Sequence, residues 1–131
     1  MNKDEYLEKF VFNGLTNLNH GFDAEGTKYF SGSEFRSVLC RVEKLGIGIY
    51  GIEPWKNGDL YDVRVCEDYE LNPSNPQWYW KAFEAFTKED RGLLYAATFH
   101  VPERLLNEQA QQAGDGDAYQ RPSMRRQSTG N

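Results

Sequence analysis

Ser31-Gly32-Ser33-Glu34 constrains this chain more than any other stretch, because it opens a helix whose end is also legible. Ser31 stands at the N-cap position and Glu34 three residues on, the spacing of a capping box, with Phe30 and Phe35 at the two staple positions. Phe35, Val38, Leu39, Val42 and Leu45 then recur on one helical face, while Arg36, Arg41, Glu43 and Lys44 fall largely outside it. Gly46 supplies the left-handed residue that ends such a helix. The chain leaves it directly into Ile47 to Glu53, a short β-branched run closed by Pro54, which reads as a mostly buried strand.

The glycines of Gly46-Ile47-Gly48-Ile49-Tyr50-Gly51 match the spacing G-x-G-x-x-G. A dinucleotide fingerprint needs a strand before that motif and a helix after it, so that the helix N-terminus meets the pyrophosphate. Here the order is reversed, and the spacing predicts no nucleotide site. Gly46 is expected as a helix cap, whereas Gly48 and Gly51 mark places where the strand bends or something comes close to its backbone.

After Pro54 the segment Trp55-Lys56-Asn57-Gly58-Asp59 reads as a turn, with Asn57-Gly58 supplying positive φ, and Leu60 to Tyr69 as the second strand of a hairpin. Alternation along it predicts Tyr61, Val63 and Val65 on a packed face, and Asp62, Arg64, Cys66 and Asp68 on a wet one. Asn75 and Pro76 stand at N-cap and N1 of a further helix, with Tyr79, Ala82, Phe83 and Phe86 as its buried stripe. Arg91-Gly92 turns the chain into Leu93 to Val101, an apolar run expected as a central strand.

Tyr6, Leu7, Phe10 and Val11 predict a short N-terminal helix ended by Asn13-Gly14, and residues 15–26 a surface loop. Residues 103–113 have the makings of a last helix, and the polar stretch from Gly114 is expected to be disordered. The predicted fold is a single α+β domain over residues 1–113, followed by a tail at 114–131. Its sheet is small and mostly antiparallel, a hairpin plus a long central strand, with helices packed against it.

Hydrophobic residues make up 39% of the 131 and charged residues 27%, a globular composition. The N-terminal MNKDEYLEKF has no apolar core, and nowhere is there a run of about 18 apolar residues, so the expectation is a cytoplasmic protein without a membrane span. Cys40 and Cys66 lack CxxC spacing and read as free thiols. With no HxxxH, CxxC or EF-hand spacing, no metal site and no cofactor are assigned.

Formal net charge is −5, and the stretch from Glu53 to Glu70 holds six acidic residues against two basic ones. Such a stretch repels phosphate backbones, which disfavours direct nucleic-acid binding and favours a basic protein partner. Trp55, Tyr61, Tyr69, Trp78, Tyr79 and Trp80 surround it, and aromatic anchors with a charged rim are what protein interfaces use. The candidate partner-binding residues are therefore Glu53, Trp55, Asp59, Asp62, Glu67 and Asp68, with Trp55 at the turn tip the hardest to bury. No catalytic residue is assigned, since Asp59 with Asp62, or Glu67 with Asp68, would offer paired carboxylates only on a half-solvated hairpin. The alternative is a small enzyme or ligand-binding domain with a pocket between sheet and helices, lined by Tyr50, Cys66, Trp80 and His100.

From about Phe35 to Val101 the order of elements resembles that of the immunity proteins that block tRNA-cleaving colicins. The likeness rests on the helix leading into Gly46-Ile47-Gly48-Ile49-Tyr50-Gly51-Ile52-Glu53, Trp55 after it, the second strand, the helix 76–88, and Arg91-Gly92 entering Leu93 to Phe99. It implies a small acidic antitoxin that docks in the basic cleft of a ribonuclease toxin and occludes it.

Overall fold

The computed structural model describes residues 1–108, so the expected tail at 114–131 and the end of the last helix lie outside the described residues. Helix α1 spans Lys3–Phe10, strand β1 Phe30–Ser31, helix α2 Gly32–Leu45 and strand β2 Gly48–Lys56. Strands β3, Asp59–Leu60, and β4, Arg64–Val65, are two residues each. A single 3-10 turn at Cys66–Tyr69 leads on to helix α3, Pro76–Glu89, and strand β5, Leu94–His100, and residues 103–108 are again helical. The sheet runs β1-β5-β2-β3 with β4 also on β2, every pair antiparallel, which makes the class α+β.

Both long helices end as their sequences dictate. Ser31 Oγ accepts from the Glu34 amide, and at the other end Gly46 sits at φ 78° while its N–H and that of Ile47 bond the carbonyls of Glu43 and Val42, a Schellman closure. The capping box is only half formed: Glu34 Oε1 accepts instead from the Thr16 amide at 2.8 Å and so holds the N-terminal segment to the start of α2. The reciprocal box appears on α1, between Asn2 and Glu5. That helix stops at Val11 in a right-handed conformation; Gly14 is left-handed at φ 82° as expected, but in the turn after the helix, which Arg41 of α2 holds by donating to the Val11 and Asn13 carbonyls at 2.8 Å each.

Helices α2 and α3 pack on each other and on the sheet, burying Phe35, Val38, Leu39 and Val42 from one and Trp78, Tyr79, Ala82, Phe83 and Phe86 from the other. The centre is aromatic: Phe35 stacks on Tyr95 at 5.1 Å, with Phe83 edge-on to Tyr95 at 5.0 Å. Trp78 is fully buried, and its indole N–H bonds the Ile49 carbonyl at 3.2 Å. The Ile49 amide donates to Pro73 at 2.9 Å, so the loop before α3 lies directly on the backbone of β2.

That crossing explains the strand glycines. A Cβ at Gly48 would stand 3.0 Å from Pro73 Cβ and 3.1 Å from its carbonyl carbon, and one at Gly51 would stand 3.3 Å from Val65 Cγ1. Between them the ladder with β5 slips at Tyr50, a bulge that turns the side chain outward.

Two expectations for the hairpin are corrected. Strand β2 does not stop at Pro54 but runs on to Lys56, because Pro54 turns its nitrogen away from β5 and loses no bond there. On the other edge its carbonyl accepts from the Tyr61 amide at 2.8 Å, yet without an N–H it returns nothing, and the ladder opens. The expected second strand therefore breaks into β3 and β4, pairing resumes only at Ile52 with Arg64, and the alternation fails. Cys66 is buried while Tyr61 and Val63 are exposed, the reverse of the period-two reading.

Gly48→Ala should cost about 1–3 kcal/mol in urea unfolding, the range for forcing an extra carbon against packed backbone. Gly51→Ala should cost less, since the facing atom is the tip of a side chain. Equal losses at the two positions would contradict the close approach at Pro73.

Candidate functional site

The Asn57-Gly58 turn has φ of 53° and 82°, positive at both central residues as a type I′ turn requires. It returns the chain into β3, the sheet's edge, where Asp59 and Leu60 stay exposed, and the open ladder beyond leaves Tyr61 and Val63 exposed as well. Leu60 is 51% exposed, Tyr61 39% and Val63 38%; apart from Tyr50 these are the large apolar side chains most open to solvent among the described residues. Asp59, Glu67 and Asp68 are also exposed and Asp62 is half-buried; Asp59 and Asp62 adjoin these side chains in the chain, whereas Glu67 and Asp68 stand on the 3-10 turn beyond β4.

The segment is held from beneath. Tyr61 donates its hydroxyl to Glu89 at 2.9 Å and sets its ring edge-on to Phe86, which joins the hairpin to the last turn of α3. That bond raises the Tyr61 pKa. Lys56 pairs with Asp90, which also accepts from the Gly92 amide, and the Lys56 ammonium holds the Asp90 carboxyl below its usual range. Asp68 accepts from the Val65 amide at 2.9 Å and so starts the 3-10 turn, and Asp62 pairs with Arg64 at 3.6 Å. Asp59 and Glu67 have no ion-pair partner among the described residues.

Glu53 and Trp55 lie apart from these four. Trp55 is not a free turn tip: the irregular segment before β1 folds over it, placing Phe22 at 5.6 Å and Tyr29 at 5.5 Å from its ring. Asn17 and Asn19 build that cover, Asn17 by accepting from the Tyr29 amide and Asn19 by bonding the Ala24 and Thr27 carbonyls. Glu53 lines a cavity of about 370 Å³ beneath it, with Lys3, Asp23, Lys28 and Thr98 among the other walls. Tyr29 donates to Asp23, which lowers the Asp23 pKa; burial, that bond and the charge of Glu53 push Tyr29 up.

The alternative lining does not converge on one pocket. Tyr50 and His100 share a hydrogen bond of 2.9 Å on an exposed surface, while Cys66 follows β4 on the opposite edge of β2 from β5. Trp80 donates to Glu43 at 2.8 Å. Burial and the neighbouring Glu67 raise the Cys66 thiol, the wrong direction for a nucleophile. Among the described residues no group of three His, Cys, Asp or Glu side chains is placed to hold a metal ion.

The exposed apolar residues Leu60, Tyr61 and Val63 are the part of the surface that alternation missed. The available signal was Pro54, whose missing N–H limits pairing on the outer edge of its own strand.

No protein-family model matches the chain, and no solved structure does. Among curated proteins it is similar to the E3 ubiquitin-protein ligase Nedd-4 of Drosophila melanogaster, 26% identical over 105 residues. The alignment covers 71% of this chain and 10% of that protein, so the chain spans about a tenth of the length of the curated relative it matches. No helix among the described residues is long and apolar enough to cross a membrane.

Lys56→Met should separate from the wild type in a pH-dependent way. A depressed carboxyl pKa contributes stability above its unfolded value, and this is lost as pH falls through the folded value. The wild type should be the more stable at neutral pH, and the gap in thermal midpoint should close as pH drops below the usual carboxyl value of 3.8.

Proposed function

We propose that the chain is a non-enzymatic protein-binding inhibitor, an immunity protein or antitoxin of the cytoplasm, whose acidic hairpin edge covers the basic active-site cleft of a nuclease toxin. The observation that carries this reading is the exposure of Leu60, Tyr61 and Val63 on one hairpin segment, with Asp59 and Asp62 beside them in the chain and Glu67 and Asp68 exposed on the turn after β4. Unpaired carboxylates attract a basic surface over several ångströms and speed encounter, while apolar and aromatic side chains supply the short-range contact that slows release. Asp59 and Glu67 suit the first role because no cation in the described chain offsets them. Tyr61 suits the second, since its bond to Glu89 fixes the ring before a partner arrives and lowers the cost of ordering it.

Glu53 and Trp55 enter this reading differently from the other four. Trp55 acts through packing, holding the N-terminal cover against β2, and Glu53 stands beneath that cover.

The test pairs the chain with tRNA-cleaving nuclease toxins of the colicin type, measuring both cell survival on co-expression and affinity at low and high salt. Asp59→Lys with Glu67→Lys should reduce the association rate by about tenfold or more and flatten its salt dependence, with the thermal midpoint nearly unchanged. Tyr61→Ala should act mainly on dissociation. Wild-type affinity in both variants would remove the hairpin edge from the interface.

A further inference from the structure

Strand β5 has seven residues, and β1 pairs with only two of them, Leu94 and Tyr95. Alternation of the ladder fixes which backbone groups face the edge that β1 leaves open. On β2, Pro54 and Ile49 spend their backbone groups away from β5, on Tyr61 and on Pro73 with Trp78. Their partners Tyr95 and Phe99 therefore aim their N–H and C=O groups away from β2, and so does Ala97 between them. Tyr95 meets Phe30 of β1 there, whereas no loop backbone among the described residues bonds the amide or carbonyl of Ala97 or Phe99.

This edge borders a cavity. Ala96, Ala97, Thr98 and Phe99 all line the space of about 370 Å³ that Glu53 also faces, together with Lys3, Asp4 and Leu7 of α1. Lys28 is two residues before Phe30, where a longer β1 would pair with Ala97; it lies outside the strand, lines the same cavity and pairs with Glu8 at 3.7 Å.

The two faces of the gap differ. Phe30 is the partner of Tyr95, Tyr95 stacks on Phe35, and Phe12 lies 5.2 and 5.6 Å from the rings of Phe30 and Phe99. The face shared by Ala97 and Phe99 is thus already filled with rings and leaves space for small side chains only. Ala96 and Thr98 point to the other face, where their partners on β2 are Glu53 and Gly51. Glu53 is half-buried there with no ion-pair partner among the described residues, and Ala96 is too short to screen it. Asp23 adds a second carboxylate to the lining, engaged by Tyr29. Of the lining cations Lys28 is held by Glu8, and Lys3 stands exposed on α1.

We propose that this gap takes an extended peptide as an added antiparallel strand on Ala97–Phe99, with a Lys or Arg opposite Thr98 and a small residue on either side of it. The peptide backbone supplies the partners that Ala97 and Phe99 lack, and the small residues fit beside Phe12. The basic side chain crosses above Ala96 toward Glu53; strands on either side of β5 stand about 10 Å apart, a span that a lysine and a glutamate bridge together. Walled by α1 and by Lys28, the gap admits a single extended chain rather than the sheet edge of a second copy. It lies apart from the hairpin edge and does not depend on the inhibitor reading.

The experiment titrates the full chain with acetyl-Ala-Lys-Ala-amide, following backbone amide shifts and hydrogen exchange. Saturable shifts at Ala97, Thr98 and Phe99 and slower exchange of the Ala97 and Phe99 amides are expected. Methylating both alanine nitrogens of the peptide should abolish them, and replacing its lysine by glutamate should weaken binding by about tenfold or more. Glu53→Gln should reduce that preference for lysine, whereas Asp59→Lys should leave it unchanged. Ala97→Pro removes an outward N–H, as Pro54 does on β2, and should weaken binding of every peptide. Equal binding of the methylated peptide, or an unchanged lysine preference in folded Glu53→Gln, would overturn the site. So would Ala97 and Phe99 amides already protected in the free chain, which would place a segment of this chain in the gap if the protein is monomeric and a second copy if its mass is doubled.

Discussion

The crossing of β2 by the loop before α3 is the contact on which the rest of the structure depends. At Ile49 both backbone groups on the outer edge are taken, the amide by Pro73 and the carbonyl by the indole of Trp78. Since the other edge of β2 is paired to β5, the strand is committed on both sides and cannot slide. Trp78 is fully buried in doing so and draws the first turn of α3 into the core. Only glycine at position 48 lets Pro73 come close enough, so one small residue sets the register of a strand and the position of a helix together.

Rigidity at that end of β2 contrasts with the other end. The strand continues past Pro54 to Lys56, but the proline leaves its outer edge unable to complete a ladder, and the chain between β3 and β4 stands clear of the sheet. What stops this segment from collapsing is α3, whose last turn receives Tyr61 through Glu89 and whose following residue Asp90 receives Lys56. An open edge that carries charges and follows a proline without an N–H is poorly suited to pairing with other strands. The apolar side chains it exposes are few, and Asp59 and Asp62 adjoin them in the chain.

Helix ends were the most legible part of this chain, because each is written in a few adjacent residues. Ser31, Gly46, Asn75 and Pro76 all occupy the positions their chemistry requires, and Asn57-Gly58 makes the turn its positive φ allows. The β5 run was equally clear. What failed was whatever depended on a distant partner. Glu34 had the right spacing to close its own capping box, yet the Thr16 amide, 18 residues away, takes its carboxylate. Trp55 looked stranded on a turn because nothing local could cover it; Phe22 and Tyr29, from the segment before β1, leave it half-buried. The alternation along residues 61–66 was real in the sequence, but one missing N–H at Pro54 removed the ladder that would have enforced it. The candidate carboxylates were thus identified by composition, while their division between a hairpin edge and a covered cavity is a tertiary fact.

The last turn of α3 is where these effects meet. Asp90 is paired with Lys56, whereas Glu89 keeps its charge while accepting from the neutral hydroxyl of Tyr61. The same engagement leaves Arg91 and Arg36 on the neighbouring surface without local neutralisation among the described residues. These two guanidiniums stand where α2 begins and α3 ends, on a chain whose net charge is −5. Formal charge summed over a sequence therefore hides how charge is distributed: Asp59 and Glu67 stand without a paired cation among the described residues, and the two arginines are invisible as a group until pairing is known.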